Sequence, residues 1–163
     1  MTGVQTCALP ISTAVCMGKN EHSDLIIIAD SRNHRVQVMT MEGVFVHSFS
    51  YPSPHGVCVD GKNNVFVSSW INHRQPNIGS QIAVFSWQGH PIRTIGRKGD
   101  QPAQLNKPEH LWLCDELDQL FVCDTLNYRI QVFSPEGHLI RAFGSQGKGN
   151  LQFNYPSDRK SVV

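Results

Sequence analysis

The sequence repeats itself, and this repeat constrains the fold more than any other feature. Residues 27–38 and 121–132 match without a gap, with an aspartate, an asparagine, an arginine and a glutamine at the same positions. The offset is 94 residues, and it also relates Gly43 to Gly137. A fixed spacing of this kind is typical of proteins built from one supersecondary unit used several times.

A third copy lies between these two. Residues 65–69 read VFVSS, and after an insertion residues 82–85 read IAVF and lead to Gly89. The steps from Gly43 to Gly89 and from Gly89 to Gly137 are 46 and 48 residues. This middle copy departs from the others, because Ser69 replaces the aspartate and we place an insertion over residues 75–81, after Arg74.

Each copy has the pattern of short strands separated by turns. Apolar runs, period-two alternation and Gly-containing turns follow one another, and we find no convincing helical periodicity. Four short strands per ~46 residues is the period of a propeller blade. The sequence therefore predicts an all-β protein with three four-stranded sheets. We expect boundaries near Pro54 and Pro108 and equivalent strands at residues 26–29, 65–68 and 120–123.

The repeated strings resemble a known family. ADSRNHRVQV, SSWINHR and CDTLNYRIQVFSPEG resemble NHL repeats, and FGSQGKGNLQFNYP resembles the Gly-rich stretch that joins NHL blades. The resemblance covers about residues 25–156 and recurs three times in register. It implies a β-propeller, of which three NHL blades would form a partial, open arc.

The two ends of the chain look foreign to the repeat. Residues 1–12 and 158–163 resemble translated sequencing adapters, so we assign the propeller to residues 13–157, with blades at about 13–53, 54–107 and 108–157. Propellers generally have 4–8 blades, so three copies predict an open arc from a longer protein. Its uncapped end blades would be association sites.

Four charged residues recur at equivalent positions: Asp30, Arg35, Asp124 and Arg129. A catalytic site occurs once, so a pair present in two blades is better explained by structure. The aspartate can accept hydrogen bonds from a turn, and the arginine can pair with a carboxylate or with carbonyls of the adjacent blade. We predict that all four residues support the fold.

Two histidines invite an enzymatic alternative. His55 and His110 follow the prolines that begin two blades and would lie near a central channel. The lyase that cleaves peptidyl-hydroxyglycines resembles this family and holds zinc with histidines of inner strands, so a metal-dependent lyase or lactonase stays open. The chain has no HxH or HExxH spacing, so we predict no metal site, no cofactor and no catalytic residue.

The other candidate residues are basic, polar and aromatic side chains of the loops, and they predict a ligand-binding face. They are Arg32, Asn33, His34, Trp70, His73, Arg74, Arg97, Lys98, Lys107 and Tyr128. Arginines beside aromatic rings can bind single-stranded RNA. Tripartite-motif proteins with NHL domains resemble this arrangement, and several bind RNA or protein there. We therefore expect a protein or RNA partner, and a ubiquitin-ligase role would require a RING domain outside this chain.

The amino-acid composition excludes few classes of function. The formal charge of +1 gives the whole chain no strong attraction to nucleic acid or membrane. No apolar run approaches the ~20 residues of a membrane span, so no membrane partner is expected. The five cysteines form no CxxC pair, which favours a reducing, cytoplasmic setting.

Overall fold

The computed structural model describes residues 14–19, 24–70 and 79–157. The adapter-like ends and two candidate ligand-face residues, His73 and Arg74, lie outside the described residues. Within them the chain forms three four-stranded antiparallel sheets and one short two-stranded pair. The predictions of an all-β fold and of three four-stranded sheets in an open arc are confirmed.

The first sheet contains β1 (Ala14–Lys19), β2 (Asp24–Asp30), β3 (Arg35–Thr40) and β4 (Phe45–Ser50), paired in chain order. Leu25, Ile27 and Ala29 alternate with residues on the opposite face and are buried. This period-two burial is the pattern that places one face of a sheet against a core.

The other two sheets repeat this arrangement. The second contains β5 (Pro54–Val59), β6 (Asn64–Ser69), β7 (Gln81–Ser86) and β8 (Pro91–Ile95). The third contains β9 (Pro108–Cys114), β10 (Gln119–Asp124), β11 (Arg129–Phe133) and β12 (Leu139–Phe143). The parallel pair β13 (Ser145–Gln146) and β14 (Gln152–Phe153) follows the third sheet.

Two hydrophobic layers join the sheets into an arc. One layer packs residues such as Val36 and Val38 of the first sheet against Val65 and Val67 of the second. The other packs Phe66 and its neighbours in the second sheet against residues of the third. The first strand of each sheet packs against the first strand of the next, which makes β1, β5 and β9 the inner strands.

The strand register corrects one sequence assignment. Gln81, which we included in the insertion, is the first residue of β7 and pairs with Ser69. The equivalent pairs in the other sheets are Asp30 with Arg35 and Asp124 with Arg129. Gln81 therefore occupies the position of the repeated arginine, and the extra residues fall in the sequence between Ser69 and Gln81.

Candidate functional site

One edge of the arc collects nearly all of the candidate ligand-binding residues. Here each second strand ends and each third strand begins, so the turns Ser31–Asn33 and Thr125–Asn127 lie at this edge. The linkers between sheets reach the same edge, since the pairs Pro54–Ser69 and Asp124–Pro108 lie beside those turns. We call this edge the loop face, and the opposite edge, formed by the tight hairpins within each sheet, the hairpin face.

The two faces differ in charge. The loop face carries exposed cations without an ion pair among the described residues: Arg32, Arg97, Lys98 and Lys148. The hairpin face carries one exposed lysine, Lys62, and a larger set of acidic side chains in its turns: Glu42, Asp60, Asp115, Glu116, Asp118 and Glu136. The near-neutral total charge therefore hides a polarised molecule whose loop face is basic.

A cluster of polar and aromatic side chains lies where the loop face meets the inner strands. The imidazole of His55 stacks on the indole of Trp70 with ring centroids 4.9 Å apart. Lys107 Nζ lies 4.7 Å from the centroid of the Trp70 ring and 2.8 Å from Glu109 Oε1. We call His55, Trp70, Lys107, Glu109 and His110 the inner-strand cluster.

Hydrogen bonds from the Ser68 side chain to backbone groups of β5 and β9 fix this cluster in place. Ser68 Oγ accepts a hydrogen bond from the Gly56 N–H at 2.8 Å and donates to the Glu109 carbonyl at 3.2 Å. A Cβ atom on Gly56 would lie 2.5 Å from that carbonyl oxygen. The close approach of β5 and β9 therefore requires glycine at position 56.

Burial dominates the electrostatics of the cluster. It lowers the pKa of His55 to about 4, and the positive charge of Lys107 acts in the same direction, while the carboxylate of Glu109 opposes them. A buried imidazole loses the solvation of its charged form, so His55 is neutral at pH 7. Trp70 Nε1 and His110 Nδ1 are buried and have no hydrogen-bond partner among the described residues.

Several predicted ligand-face residues have structural contacts. Asn33 Nδ2 donates to both carboxylate oxygens of Asp30 at 3.0 Å. His34 Nδ1 accepts from the Ser53 N–H at 3.1 Å. Tyr128 packs edge-on against Tyr155 with ring centroids 5.3 Å apart. Arg32, Arg97 and Lys98 are exposed and form no ion pair among the described residues.

The repeated aspartate of the third sheet holds the linker that precedes that sheet, residues 96–107. Asp124 accepts hydrogen bonds from the Asn106 N–H at 2.6 Å and from Arg129 Nε at 2.8 Å. Arg129 Nη2 in turn donates to the carbonyls of Gln101 and Gln104. These contacts involve the linker and the sheet alone, and no ligand is needed to explain them.

Glutamine completes this network, and the sequence analysis assigned it no role. Gln131 is fully buried, donates through Nε2 to Asp124 and to the Gln104 carbonyl, and accepts from the Ala103 N–H. Its recurrence beside the arginine in both matching copies was the available signal. Glu109 was also missed, although it stands directly before His110.

The inner-strand cluster offers an aromatic surface, a cation, a carboxylate and two imidazoles. Within the described ranges no group of three or more histidine, cysteine, aspartate or glutamate side chains is arranged to hold a metal ion. The structure places His55 and His110 on neighbouring inner strands, but zinc sites take at least three protein ligands. The cluster combines stacked rings with charged groups, an arrangement that can bind a planar or charged ligand.

No helix in the described parts of the chain is long and apolar enough to cross a membrane. No family model matches the sequence, and no curated protein matches it.

Solved structures show what the fold resembles. About 90% of the chain superposes on Kuenenia stuttgartiensis hydrazine synthase with a TM-score of 0.61 and 13% identity. Virginiamycin B lyase from Staphylococcus aureus matches 85% of the chain with a TM-score of 0.61 and 15% identity. A streptogramin B lyase matches 80% with a TM-score of 0.56 and 16% identity. The chain spans 40–42% of the length of these structures, and the likeness establishes a propeller-type fold.

Proposed function

We propose that this chain is part of an NHL-type recognition propeller whose loop face binds single-stranded RNA. The observation that carries the proposal is the separation of charge between the two faces. Exposed cations outnumber the exposed carboxylate of Asp100 on the loop face, whereas acidic side chains predominate on the hairpin face, and this difference favours an anionic partner and orients it.

The inner-strand cluster supports the same proposal. Trp70 and His55 provide stacked rings at the inner end of the loop face, and Lys107 provides a cation beside them. Single-stranded nucleic acids bind through this combination, because bases stack on aromatic rings while cations neutralise phosphates.

The proposal is tested by fluorescence anisotropy with a labelled, mixed-sequence single-stranded RNA. We expect the double variant Arg97→Ser/Lys98→Ser to weaken binding about 10-fold and to lower the salt dependence by roughly two counterions. The matched control, Lys62→Ser/Arg141→Ser, changes the charge equally but away from the loop face. Equal weakening by both double variants would contradict the proposal, as would the absence of binding by the unaltered chain.

A protein ligand on the same face is the other form of recognition that the NHL resemblance suggests. An acidic peptide would bind to the same cations, and it would not require stacking on Trp70. If an acidic peptide bound more tightly than RNA of equal charge, the partner would be a protein. A ubiquitin-ligase function would then depend on a domain outside this chain.

The enzymatic alternative rests on the placement of His55 and His110 on adjacent inner strands, together with the lyases among the similar folds. Zinc titration followed by calorimetry separates it from the binding proposal. Stoichiometric zinc binding that is lost in His55→Ala and His110→Ala would favour a metal-dependent propeller enzyme. Binding of RNA without zinc would favour recognition.

A further inference from the structure

The linker that follows the third sheet, residues 144–155, has the conformation of the linker between the second and third sheets. In both, a glycine N–H donates to a carbonyl six residues later: Gly99 to Leu105 at 3.0 Å, and Gly147 to Phe153 at 3.2 Å. Two residues with positive φ also coincide, since Ala103 and Lys107 (63° and 59°) match positions 151 and 155 (56° and 53°). The second linker is therefore already folded.

The earlier linker has a receptor, which is the network of Asp124, Arg129 and Gln131 in the third sheet. The first sheet carries the same three residues as Asp30, Arg35 and Gln37. Asp30 Oδ2 accepts from Arg35 Nε at 2.8 Å and from Gln37 Nε2 at 3.1 Å, as in the third sheet. The first sheet thus contains a second receptor of the same construction.

Exposure distinguishes the two receptors. The Arg129 side chain is 15% exposed because linker carbonyls cover it, whereas the Arg35 side chain is 41% exposed. Among the described residues no linker is hydrogen-bonded to Asp30, Arg35 or Gln37. Conversely, Leu151 and Tyr155 of the later linker are exposed by 71% and 52%.

The middle sheet lacks both the receptor and the Gly-rich linker, which indicates that the two features depend on each other. Only three residues separate β4 from β5, so the second sheet has no Gly-rich linker before it. That sheet has Ser69 and Gln81 in place of the aspartate and arginine, and the hydroxyls of Tyr51 and Ser69 lie 3.2 Å apart instead. Where the linker is short, the receptor is absent, so a complete receptor indicates a Gly-rich linker as its ligand.

We propose that the receptor of the first sheet binds residues 144–155 of a second copy of this chain. By equivalence with the third sheet, the Asp30 carboxylate accepts from the backbone N–H of Asn154 of the second copy. Arg35 donates to the carbonyls of Gly149 and Gln152 of that copy. The contact is head-to-tail, because the linker and the receptor lie at opposite ends of the arc.

Apolar faces at the two ends of the arc accompany this contact. Trp112 and Phe121 form a tilted pair on the outward face of the third sheet, with centroids 4.9 Å apart, and Trp112 is 45% exposed. Val15 and Met17 on the first sheet are 54% and 61% exposed. Two copies joined at both ends contain six sheets, which lies within the 4–8 blades of closed propellers. The head-to-tail contact then closes on itself instead of forming a filament.

The experiment is light scattering after size exclusion, over a series of concentrations of the full chain. We expect a mass of twice 18.2 kDa for the unaltered chain. Arg35→Ala should raise the dimer dissociation constant at least 10-fold. Arg32→Ala, in the neighbouring turn, is the matched control and should remain dimeric. Circular dichroism checks that each variant is folded.

A second variant changes the linker and leaves the receptor intact. A Cβ at Gly144, where φ is 110°, would lie 2.4 Å from the Phe153 ring, so Gly144→Ala should distort the linker and give monomers. A mixture of Arg35→Ala and Gly144→Ala should form a dimer, because it retains one intact receptor and one intact linker.

Three results would overturn the proposal: a monomeric unaltered chain at about 100 µM, dimers that Arg35→Ala does not weaken, or a mixture of the two variants that stays monomeric.

Discussion

The backbone N–H of Asn106 donates a hydrogen bond to Asp124 Oδ1 over 2.6 Å, and so joins the end of a linker to a carboxylate on the sheet that follows it. The carboxylate is fully buried and also accepts hydrogen bonds from the side chains of Asn127, Arg129 and Gln131. A buried charge is tolerated when it is paired and hydrogen-bonded, which is the case here. The repeated aspartate therefore connects consecutive sheets.

Loss of Arg129 should destabilise the fold more than loss of Arg35. Arg129→Ala removes donors from Asp124 and from two linker carbonyls, and we expect a decrease of about 1–3 kcal/mol in the free energy of unfolding. Arg35→Ala should cost about 1 kcal/mol or less in the monomer, because Arg35 is more exposed. Urea denaturation at low protein concentration measures both. An Arg129→Ala variant of unchanged stability that has lost ligand binding would show that the residue is functional.

Replacement of Gly56 should separate two inner strands. Gly56→Ala places a methyl group 2.5 Å from the Glu109 carbonyl, so β5 and β9 must move apart and the Ser68 hydrogen bonds weaken. We expect a loss of about 2 kcal/mol or more in thermal or urea unfolding. Gly61→Ala is the control, since its Cβ would meet nothing closer than 4.0 Å. Equal stability of the two variants would refute the close approach.

Stability should fall as the solution is acidified because of His55. Its folded pKa of about 4 lies below the ordinary value of 6.5, so the unfolded chain takes up a proton over this interval and the folded chain does not. The contribution of neutral His55 to the free energy of unfolding is fully present above pH 6.5 and is lost as the pH falls towards 4. The loss is about 2 kcal/mol after allowance for the partial exposure of the imidazole.

The test is a comparison of denaturation midpoints at pH 7 and pH 4.5. His55→Gln should lose less stability on acidification than the unaltered chain does. His90→Gln, at an exposed hairpin position, should behave like the unaltered chain. If His55→Gln showed the full decrease, burial of the imidazole would not be its cause.

Removal of residues 1–12 and 158–163 should leave the thermal midpoint of unfolding unchanged. Segments that resemble translated adapters are expected not to have evolved with the core, so ordering them would cost ~1–2 kcal/mol per residue with little burial in return. Differential scanning calorimetry of the shortened chain, residues 13–157, measures the change. A lower midpoint would show that the segments contribute to the fold.

The sequence was sufficient to predict the sheets, because strand alternation and the 94-residue offset are local or periodic signals. The position of Gln81 was also accessible. It stands 46 residues after Arg35 and 48 before Arg129, the same steps that relate Gly43, Gly89 and Gly137. The insertion obscured this relation, because the letters NHR at residues 72–74 matched the repeat at the wrong place.

The inner-strand cluster could not be derived from the sequence. Lys107 ends a long linker and Trp70 directly follows β6, and their contact depends on how two sheets pack. The charge difference between the faces was likewise hidden, since it becomes visible only when turns are assigned to opposite edges. Contacts of this kind follow from tertiary geometry, which neither composition nor periodicity encodes.

Because each such sheet binds the linker that precedes it, the choice of segment boundaries matters when a protein of this kind is extended by gene duplication. A segment that starts at Gly96 and stops before Gly144 contains a linker together with the Asp124, Arg129 and Gln131 that hold it. A segment cut at the sheet boundaries, from Pro108 to Tyr155, would separate its linker from the sheet residues that bind it. Both segments span 48 residues, but only the first can be copied and inserted with its internal contacts complete. A duplicated unit that keeps its internal contacts would therefore begin one linker before the first strand of its sheet.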